Sequence, residues 1–309
     1  MARPELAGLE ADLARCYKGK IGVGVPMAGY TTWRIGGPAD LLVTPRSVAE
    51  VRTCLAWAGR HGLPVWIIGN GSNVLVGDGG LRGLVLRTAH GLNQIERQGS
   101  RLSLGAGALL PVLLRLAARY GWTGLEFAAG IPATVGGAVL MNAGTGEGTI
   151  GALVSRVGLI EPSGEYVELE AKEISFAYRH SSLLDRGGVI TTVILQVREG
   201  DPADVARAIR ERMAARRQKQ PHRWPSAGSV FKNPPGWPSA GWLIERVGAK
   251  GLRRGGALVA YEHANFIVNT GGATARDVLW LVEEIRRRVR ESFGVELETE
   301  IRILGDTRG

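Results

Sequence analysis

The stretch Gly69-Asn-Gly-Ser-Asn-Val-Leu-Val76 constrains the fold of this chain more than any other. An apolar run, Pro64-Val-Trp-Ile-Ile68, leads into it and reads as a buried strand. The glycine turn then continues into Val74-Leu-Val76 and Gly77-Asp-Gly-Gly80. A doubly wound dinucleotide fold would instead open its glycine loop into a helix, because the helix N-terminus holds the pyrophosphate. Strand, turn, strand argues against that fold. A cradle of backbone N–H groups can still bind phosphate without a helix, and Asn70, Gly71, Ser72 and Asn73 are the residues that would form it. The same residues also fit a tight hairpin turn. A second glycine pair, in Leu102-Ser-Leu-Gly-Ala-Gly107, precedes a helix from Pro111 to Tyr120. Its third glycine position holds Leu110, where close helix–strand packing wants no side chain, so this stretch is rejected as a dinucleotide fingerprint.

The richest loop is Gly130-Ile-Pro-Ala-Thr-Val-Gly-Gly-Ala-Val-Leu-Met-Asn-Ala-Gly-Thr-Gly146. Gly130, Gly136, Gly137 and Gly144 let the backbone approach a ligand closely or take positive φ. Pro132 stiffens the entry, and Thr134 and Asn142 offer hydrogen bonds without net charge. Tight turns in a small-residue core would look similar. Two such loops in one region favour a cradle for a large phosphate-bearing cofactor.

The rest of the chain supplies the scaffold. Apolar spacing predicts helices from Leu6 to Tyr17, from Ser47 to Gly62, from Asp201 to Lys219 and from Ser239 to Arg246, and a last one between Thr274 and Gly294. Thr274 and Asp277 form a capping box for the last of these. Val154–Ile160 and Tyr166–Leu169 alternate as antiparallel strands, and Val189–Val197 is a further buried strand. Tyr178-Arg179 falls at a strand end. Ala264-Asn-Phe-Ile-Val-Asn269 reads as a strand. The C-terminal strand is expected to alternate, with Val295, Leu297, Thr299, Ile301 and Ile303 on one face and the glutamates opposite. A domain boundary is expected near Gly200.

The formal charge of +9 concentrates late: 19 of the 38 basic residues follow Gly200, against 13 of the 29 acidic ones. No basic run is interleaved with aromatics, so small anions are expected rather than nucleic acid. The arginines of the 201–219 helix are expected on a solvated face. Cys16 and Cys54 form no disulfide or metal pattern, there is no HExxH, and the five histidines are dispersed, so no metal centre is expected. No signal peptide or membrane-spanning run is apparent, which implies a cytoplasmic protein.

A last motif, Ser226-Ala-Gly-Ser-Val-Phe-Lys-Asn-Pro-Pro235, packs Ser229, Lys232 and Asn233 between prolines. Proline fixes φ at the edges and keeps preceding residues out of the helical region. Alternation would put Ser229 and Phe231 on one face and Val230 and Lys232 on the other, unless the chain bends near Phe231. A hairpin edge with polar trim is the bland reading.

Several segments, in order, resemble the UDP-N-acetylenolpyruvoylglucosamine reductase (MurB) family in its shorter, type II form. They are Thr31–Asp40, Gly69–Leu75, Gly124–Pro132, Val135–Ala138, Met141–Gly144, Tyr178-Arg179, Ser226–Pro234, Ala240–Glu245 and Glu300–Gly305. The resemblance implies an α+β chain with a PCMH-type, vanillyl-alcohol-oxidase-like FAD-binding domain of two α+β subdomains (1–86 and 87–200). A smaller α/β substrate domain (201–309) would follow. It implies FAD as cofactor, NADPH as hydride donor, and reduction of UDP-N-acetylglucosamine enolpyruvate to UDP-N-acetylmuramate for peptidoglycan, by a cytoplasmic monomer. By the same resemblance Arg179 stabilises the enolate, Ser229 donates the proton and Glu300 assists. Tyr178, Lys232 and Asn233 meet the substrate, and the two glycine loops hold FAD. Thr299 stands where the family commonly has proline, and Trp33 where it has phenylalanine. The alternatives are another FAD-dependent oxidase or dehydrogenase on this scaffold, or a basic nucleic-acid-binding protein, which would leave the glycine loops idle.

Overall fold

A computed structural model describes residues 4–307. The chain divides into two compact units. The first takes the residues up to Val23, then Leu41–Asn70 and Gly83–Arg216. The second takes Gly24–Asp40, Gly71–Arg82 and the chain from Arg217 onward. The glycine turn after the strand at residues 65–68 is one of the places where the chain changes unit, between Asn70 and Gly71.

The first unit has two cores. Helices α1 (Pro4–Cys16) and α2 (Val48–Arg60) serve one of them. Ser47 caps α2 as expected: its hydroxyl accepts the Glu50 N–H at 3.1 Å, and the Glu50 carboxylate accepts the Arg46 N–H at 2.7 Å. Asp12 of α1 accepts the Trp57 indole N–H of α2 and faces His61 Nε2, both at 2.9 Å. The bond from Trp57 and the one with His61 hold that carboxyl below its usual pKa. Leu13, Tyr17, Cys54, Trp57, Leu84 and Leu86 are buried together beneath. Burial pushes the Cys54 thiol up to about 12, so it is a packing residue rather than a nucleophile. The strand Val65–Ile68 pairs in parallel with Leu81–Arg87.

The second core lies on a five-stranded antiparallel sheet, in the order Tyr166–Glu170, Val154–Ile160, Val189–Gln196, Arg101–Gly105, Ile95–Gln98. Helices α3 (Leu110–Tyr120), α4 (Val135–Leu140), α5 (Ser182–Arg186) and α6 (Pro202–Lys219) bury residues in it. Residues 24–40 and 71–82, expected within the first subdomain, belong to the second unit. The domain boundary differs from the one expected near Gly200. Val205 and Ile209 of α6 are buried in this second core, so the helix stays with the first unit and the change comes at Arg216–Arg217.

The second unit is built on α7 (Ala240–Arg246) and α8 (Ala275–Phe293) against a small antiparallel sheet, Arg253–Arg254, Ala257–Val259 and Ile267–Asn269. Phe231, Leu243, Ile244, Val278, Leu281, Val282 and Ile285 share its core with Trp33. The capping box on α8 forms: the Thr274 hydroxyl accepts the Asp277 N–H and the Asp277 carboxylate accepts the Thr274 N–H, at 3.1 and 3.0 Å. Gly294, with φ of 69°, ends the helix in the left-handed conformation.

The expected C-terminal strand is shorter than its alternation suggests. Val295, Leu297 and Ile301 are buried and Glu296 and Glu298 exposed, as a strand would place them. Only Arg302–Leu304 joins a ladder, in parallel with Val74–Val76, and Ile303 is 42% exposed. The cause is a change of partner. Residues 298–300 pair with 230–232, and the chain then moves to the strand beyond the glycine turn. Among the described residues no helix is long and apolar enough to cross a membrane.

Asp78 shows how the glycine turn supports this unit. Its two carboxylate oxygens accept the N–H groups of Ala275 and Arg276, at 2.8 and 3.0 Å, in the first turn of α8. Those groups have no partner inside the helix. Asp78→Ala should therefore lower stability by about 1–2 kcal/mol. Urea unfolding checks this, and an unchanged midpoint would show that water replaces the carboxylate without loss.

Candidate functional site

The first unit gathers the second glycine loop, the Tyr178-Arg179 pair and the end of α6. The loop is not irregular throughout, as its glycines suggested. Residues Val135–Leu140 form α4, capped by Thr134, whose hydroxyl accepts the Gly137 N–H at 3.2 Å. Asn70 reaches this loop from the other glycine turn: its carboxamide donates to the Pro132 carbonyl at 2.6 Å. A side chain on Gly69 would come within 2.4 Å of the Thr134 hydroxyl oxygen, so the two loops are in close contact. A side chain on Gly136 would meet the Ala106 methyl at 2.8 Å, which makes that glycine a packing requirement.

Tyr178 and Arg179 occupy the turn between two short paired strands, Phe176–Ala177 and His180–Ser181. This refines the expected strand end to a two-residue hairpin turn, in which Arg179 takes φ of 55°. A non-glycine residue at positive φ costs about 1 kcal/mol or more and persists where the surroundings enforce it. Here Asn142 and Gly144 do so. Asn142 is buried; its Nδ2 donates to the Ala177 carbonyl at 2.9 Å and its Oδ1 accepts the Gly151 N–H at 3.1 Å. The Gly144 carbonyl accepts Arg179 Nη1 at 3.0 Å. Both residues, expected at the cofactor, thus spend these groups on holding the arginine turn.

Arg216 is the residue that the pattern of α6 concealed. The helix was expected to present its arginines to solvent. Arg207 and Arg212 do pair with carboxylates at the surface, Asp204 and Glu147. Arg216 instead lies half-buried over Gly130, where an added methyl group would come within 2.9 Å of its Cδ and 3.4 Å of its Nη1. Burial, and then the charge of Arg179, push its guanidinium below the usual value. A guanidinium stays charged through such a shift. Two fixed positive charges therefore face one region of the first unit. The only available signal was Arg216's position in the last turn of α6, close to the chain's turn at Pro221.

The second unit gathers Gly71, Ser72, Asn73, Ser229, Lys232, Asn233 and Glu300. Asn73 joins the glycine turn to the C-terminal segment: its Nδ2 donates to the Glu300 carbonyl at 3.1 Å, and its own carbonyl accepts the Arg302 N–H at 3.0 Å. Thr32 joins the turn to the serine loop. Its hydroxyl lies 2.8 Å from the Ser226 carbonyl, and its N–H donates to the Gly71 carbonyl at 3.0 Å. The serine loop runs opposite the glutamate. Glu300 N–H donates to the Val230 carbonyl at 2.7 Å and Lys232 N–H to the Glu298 carbonyl at 2.9 Å, around a bridge between Phe231 and Thr299. That pairing brings the backbones beside Ser229 and Glu300 together.

The bend expected near Phe231 falls at Val230, after Gly228 with φ of 78°. Val230 and Phe231 are both buried, 1% exposed each, so strict alternation does not describe this stretch. Lys232 Nζ pairs with Glu298 at 3.0 Å, and the Asn233 carboxamide oxygen accepts the Ala240 N–H at 3.0 Å, at the start of α7. Thr299, where proline was the common residue, supplies the bridge partner of Phe231. Trp33 is wholly buried in the unit's core.

The donor set fits a large phosphate-bearing cofactor. Within the first unit it consists of the Asn70 carboxamide and the glycine-lined turn from Thr134 to Gly137, with the guanidinium charge of Arg179 and Arg216 in the same unit. This chemistry defines the class: a flavoprotein of the FAD-binding α+β type. Residues 39–170 match the FAD binding domain family, and residues 220–304 match the C-terminal domain of UDP-N-acetylenolpyruvoylglucosamine reductase. The chain is 51% identical to the UDP-N-acetylenolpyruvoylglucosamine reductase of Moorella thermoacetica over 98% of its own length and 99% of that protein's. It is 44% identical to the reductase of the same name from Heliobacterium modesticaldum, over 96% and 95%. The crystal structure of the Thermus caldophilus enzyme superposes with a TM-score of 0.80 at 41% identity, covering 93% of this chain and 99% of that one. The chain belongs to the UDP-N-acetylenolpyruvoylglucosamine reductase family.

Gly71 allows a direct test of the cradle. Its φ is 65°, and a side chain there would come within 2.2 Å of the Tyr30 carbonyl oxygen. Gly71→Ala should move the turn and release FAD on dialysis, read from the flavin-to-protein absorbance ratio. Gly8→Ala, on α1 with nothing within 4 Å, is the control and should retain flavin. Equal retention in both would place the cofactor elsewhere.

Proposed function

We propose that this protein is an NADPH-dependent flavoenzyme that reduces UDP-N-acetylglucosamine enolpyruvate to UDP-N-acetylmuramate for peptidoglycan synthesis. The observation that carries it is the near full-length identity to the reductase family, together with a serine loop and a C-terminal glutamate paired backbone to backbone. The protein would act in the cytoplasm as a monomer. Asn70, Gly71, Ser72, Asn73, Gly130, Pro132, Thr134, Gly136, Gly137, Asn142 and Gly144 would hold FAD. When bound, FAD supplies the hydride, received from NADPH, that the substrate's terminal vinyl carbon takes.

This chain's residues have the remaining work. Once the hydride is added, negative charge develops on the neighbouring carbon and spreads into the carboxylate. Arg179 is suited to that charge, because its planar guanidinium stays protonated and its turn is already held in place. Arg216, which the sequence pattern did not single out, adds a second positive charge beside it and suits the same anion. Ser229 gives its hydroxyl proton to the carbanionic carbon, and solvent restores the proton afterwards. One hydride and one proton are then added across the double bond. A serine hydroxyl is a weak acid, so the step relies on fixed geometry more than on acidity. Glu300 takes its place beside the enolate oxygens. Lys232, Asn233 and Tyr178 serve substrate binding, with Lys232 held by Glu298 until an anion competes for it.

Three measurements test this reading. The purified protein should carry a flavin spectrum; a protein without one, and giving none with added FAD, would falsify the proposal. Ser229→Ala should leave reduction of the flavin by NADPH within about twofold. It should slow the substrate step by on the order of 10²-fold or more, the usual range for a general acid. Equal loss in both steps would make Ser229 a structural residue. Arg216→Gln should weaken binding of the anionic substrate about tenfold or more, corresponding to the loss of a charged hydrogen bond; unchanged binding would remove Arg216 from the site.

A further inference from the structure

The segment Ala264-Asn-Phe-Ile-Val-Asn269 carries an asparagine at each end of an apolar run. Both are buried, Asn265 at 4% and Asn269 at 7% exposed. A buried carboxamide costs stability unless its donor and acceptor are both met. The two residues meet theirs in different places. Asn269 holds the turn at Trp33 and Arg34: its Nδ2 donates to their carbonyls at 3.0 and 3.3 Å, and its Oδ1 accepts the N–H groups of Gly271 and Ala273.

Asn265 is turned on the serine loop. Its Oδ1 accepts the Phe231 N–H at 2.9 Å and its Nδ2 donates to the Phe231 carbonyl at 2.8 Å. Its own carbonyl accepts the Val230 N–H at 2.9 Å. One residue therefore meets three backbone groups of two consecutive residues. The opposite side of the same stretch is held by the backbone of residues 298–300, through the Val230 carbonyl and the Lys232 N–H. A regular strand could not serve both sides, because the chain bends at Val230. A carboxamide can, because it offers a donor and an acceptor to a single peptide group. His263 steadies it in turn, with its Nδ1 accepting the Asn265 N–H at 3.2 Å. Burial, with Lys250 nearby, keeps that ring below its usual pKa and so an acceptor.

We propose that Asn265 is the positioning residue for the proton-donating Ser229, acting through the Phe231 peptide it clamps. The inference rests on the reading of Ser229 given above. The Asn265 carboxamide is buried and bonded to the Phe231 peptide through both its donor and its acceptor. It sets the path of the backbone immediately after Ser229, while Gly228 sets it immediately before. A misplacement of about 1 Å in such a group costs on the order of 10²-fold in rate.

The test is Asn265→Asp, which keeps the shape and the acceptor for the Phe231 N–H but places a carboxylate oxygen against the Phe231 carbonyl. Flavin content and the rate of flavin reduction by NADPH should stay within about twofold of wild type. The substrate step should slow by on the order of 10²-fold, with a larger solvent deuterium isotope effect, since proton delivery becomes limiting. Hydrogen exchange at the Phe231 amide should quicken. The substrate step should recover as pH falls, because a protonated carboxyl again offers a donor to the Phe231 carbonyl. Asn265→Ala should show the same split without the recovery at low pH.

A substrate step unchanged in Asn265→Asp overturns the proposal. So does an equal fall in both steps with loss of flavin, and so does failure of this near-isosteric variant to fold, since each assigns Asn265 to the scaffold alone. Ser229→Ala, measured beside it, separates the two ideas. If that variant keeps its substrate step, the reading of Ser229 fails. If it loses the step and Asn265→Asp does not, the positioning role alone fails.

Discussion

The hydrogen bond from the Asn73 carboxamide to the Glu300 carbonyl joins residues 227 positions apart and fixes how the second unit is assembled. Asn73 belongs to the turn read as a phosphate cradle, Glu300 to the last segment of the chain. With the Asn73 carbonyl accepting the Arg302 N–H, one residue sets the register of the parallel ladder that follows, Val74–Val76 against Arg302–Leu304. A slip of one residue in that ladder would turn Glu300 to the opposite face. The cofactor turn therefore determines where the glutamate points. Thr32 extends the same logic to the serine loop, since it binds the Gly71 and Ser226 backbones together. Three loops from distant parts of the sequence are held to one another by the part-buried Asn73 and Thr32 side chains together with backbone groups.

On the reading of Ser229 as proton donor, holding loops in this way suits a weak acid. A group with a favourable pKa can tolerate some freedom, because its proton is easily given. A serine hydroxyl cannot, and the backbone around Ser229 is correspondingly constrained: Gly228 supplies the turn, Asn265 one wall, and residues 298–300 the other. Lys232 and Asn233 follow in the same stretch, and their polar groups are engaged by Glu298 and by the start of α7. Lys232 is held by an exposed ion pair, and such pairs contribute little, about 0–1 kcal/mol. On the proposed role of Lys232, an incoming anion would displace that pair at small cost.

Much of this was legible in the sequence, where local chemistry is decisive. The caps at Ser47, Ser239 and Thr274, the stop at Gly294 and the strand–turn–strand course of residues 64–76 all follow from a few neighbouring residues. What failed depended on distant partners. Alternation from Val295 to Ile303 predicted one long strand, but the segment changes partner midway, and periodicity carries no information about partners. The glycines of residues 130–146 concealed α4, because Thr134 caps a helix that glycine propensity disfavours. Asn142 was legible as a polar residue in a functional loop, yet its amide holds the Arg179 turn. The domain boundary was misplaced because the apolar stripe of α6 does not say which core it enters.

Arg216 is the most instructive of these cases. The charge pattern of α6 gives it no distinction from Arg207, Arg210, Arg212 or Arg217, and a run of arginines is usually a solvated face. Its burial beside Arg179 is unfavourable in itself, since desolvation and like-charge repulsion both oppose a guanidinium that cannot lose its proton. The same arrangement lowers the energy of any state in which negative charge sits between them. A carboxylate gains from this, and an enolate that spreads further charge into that carboxylate gains more. On the proposed role of Arg179, such an arrangement favours the more highly charged species, which is the requirement for catalysis rather than for binding alone.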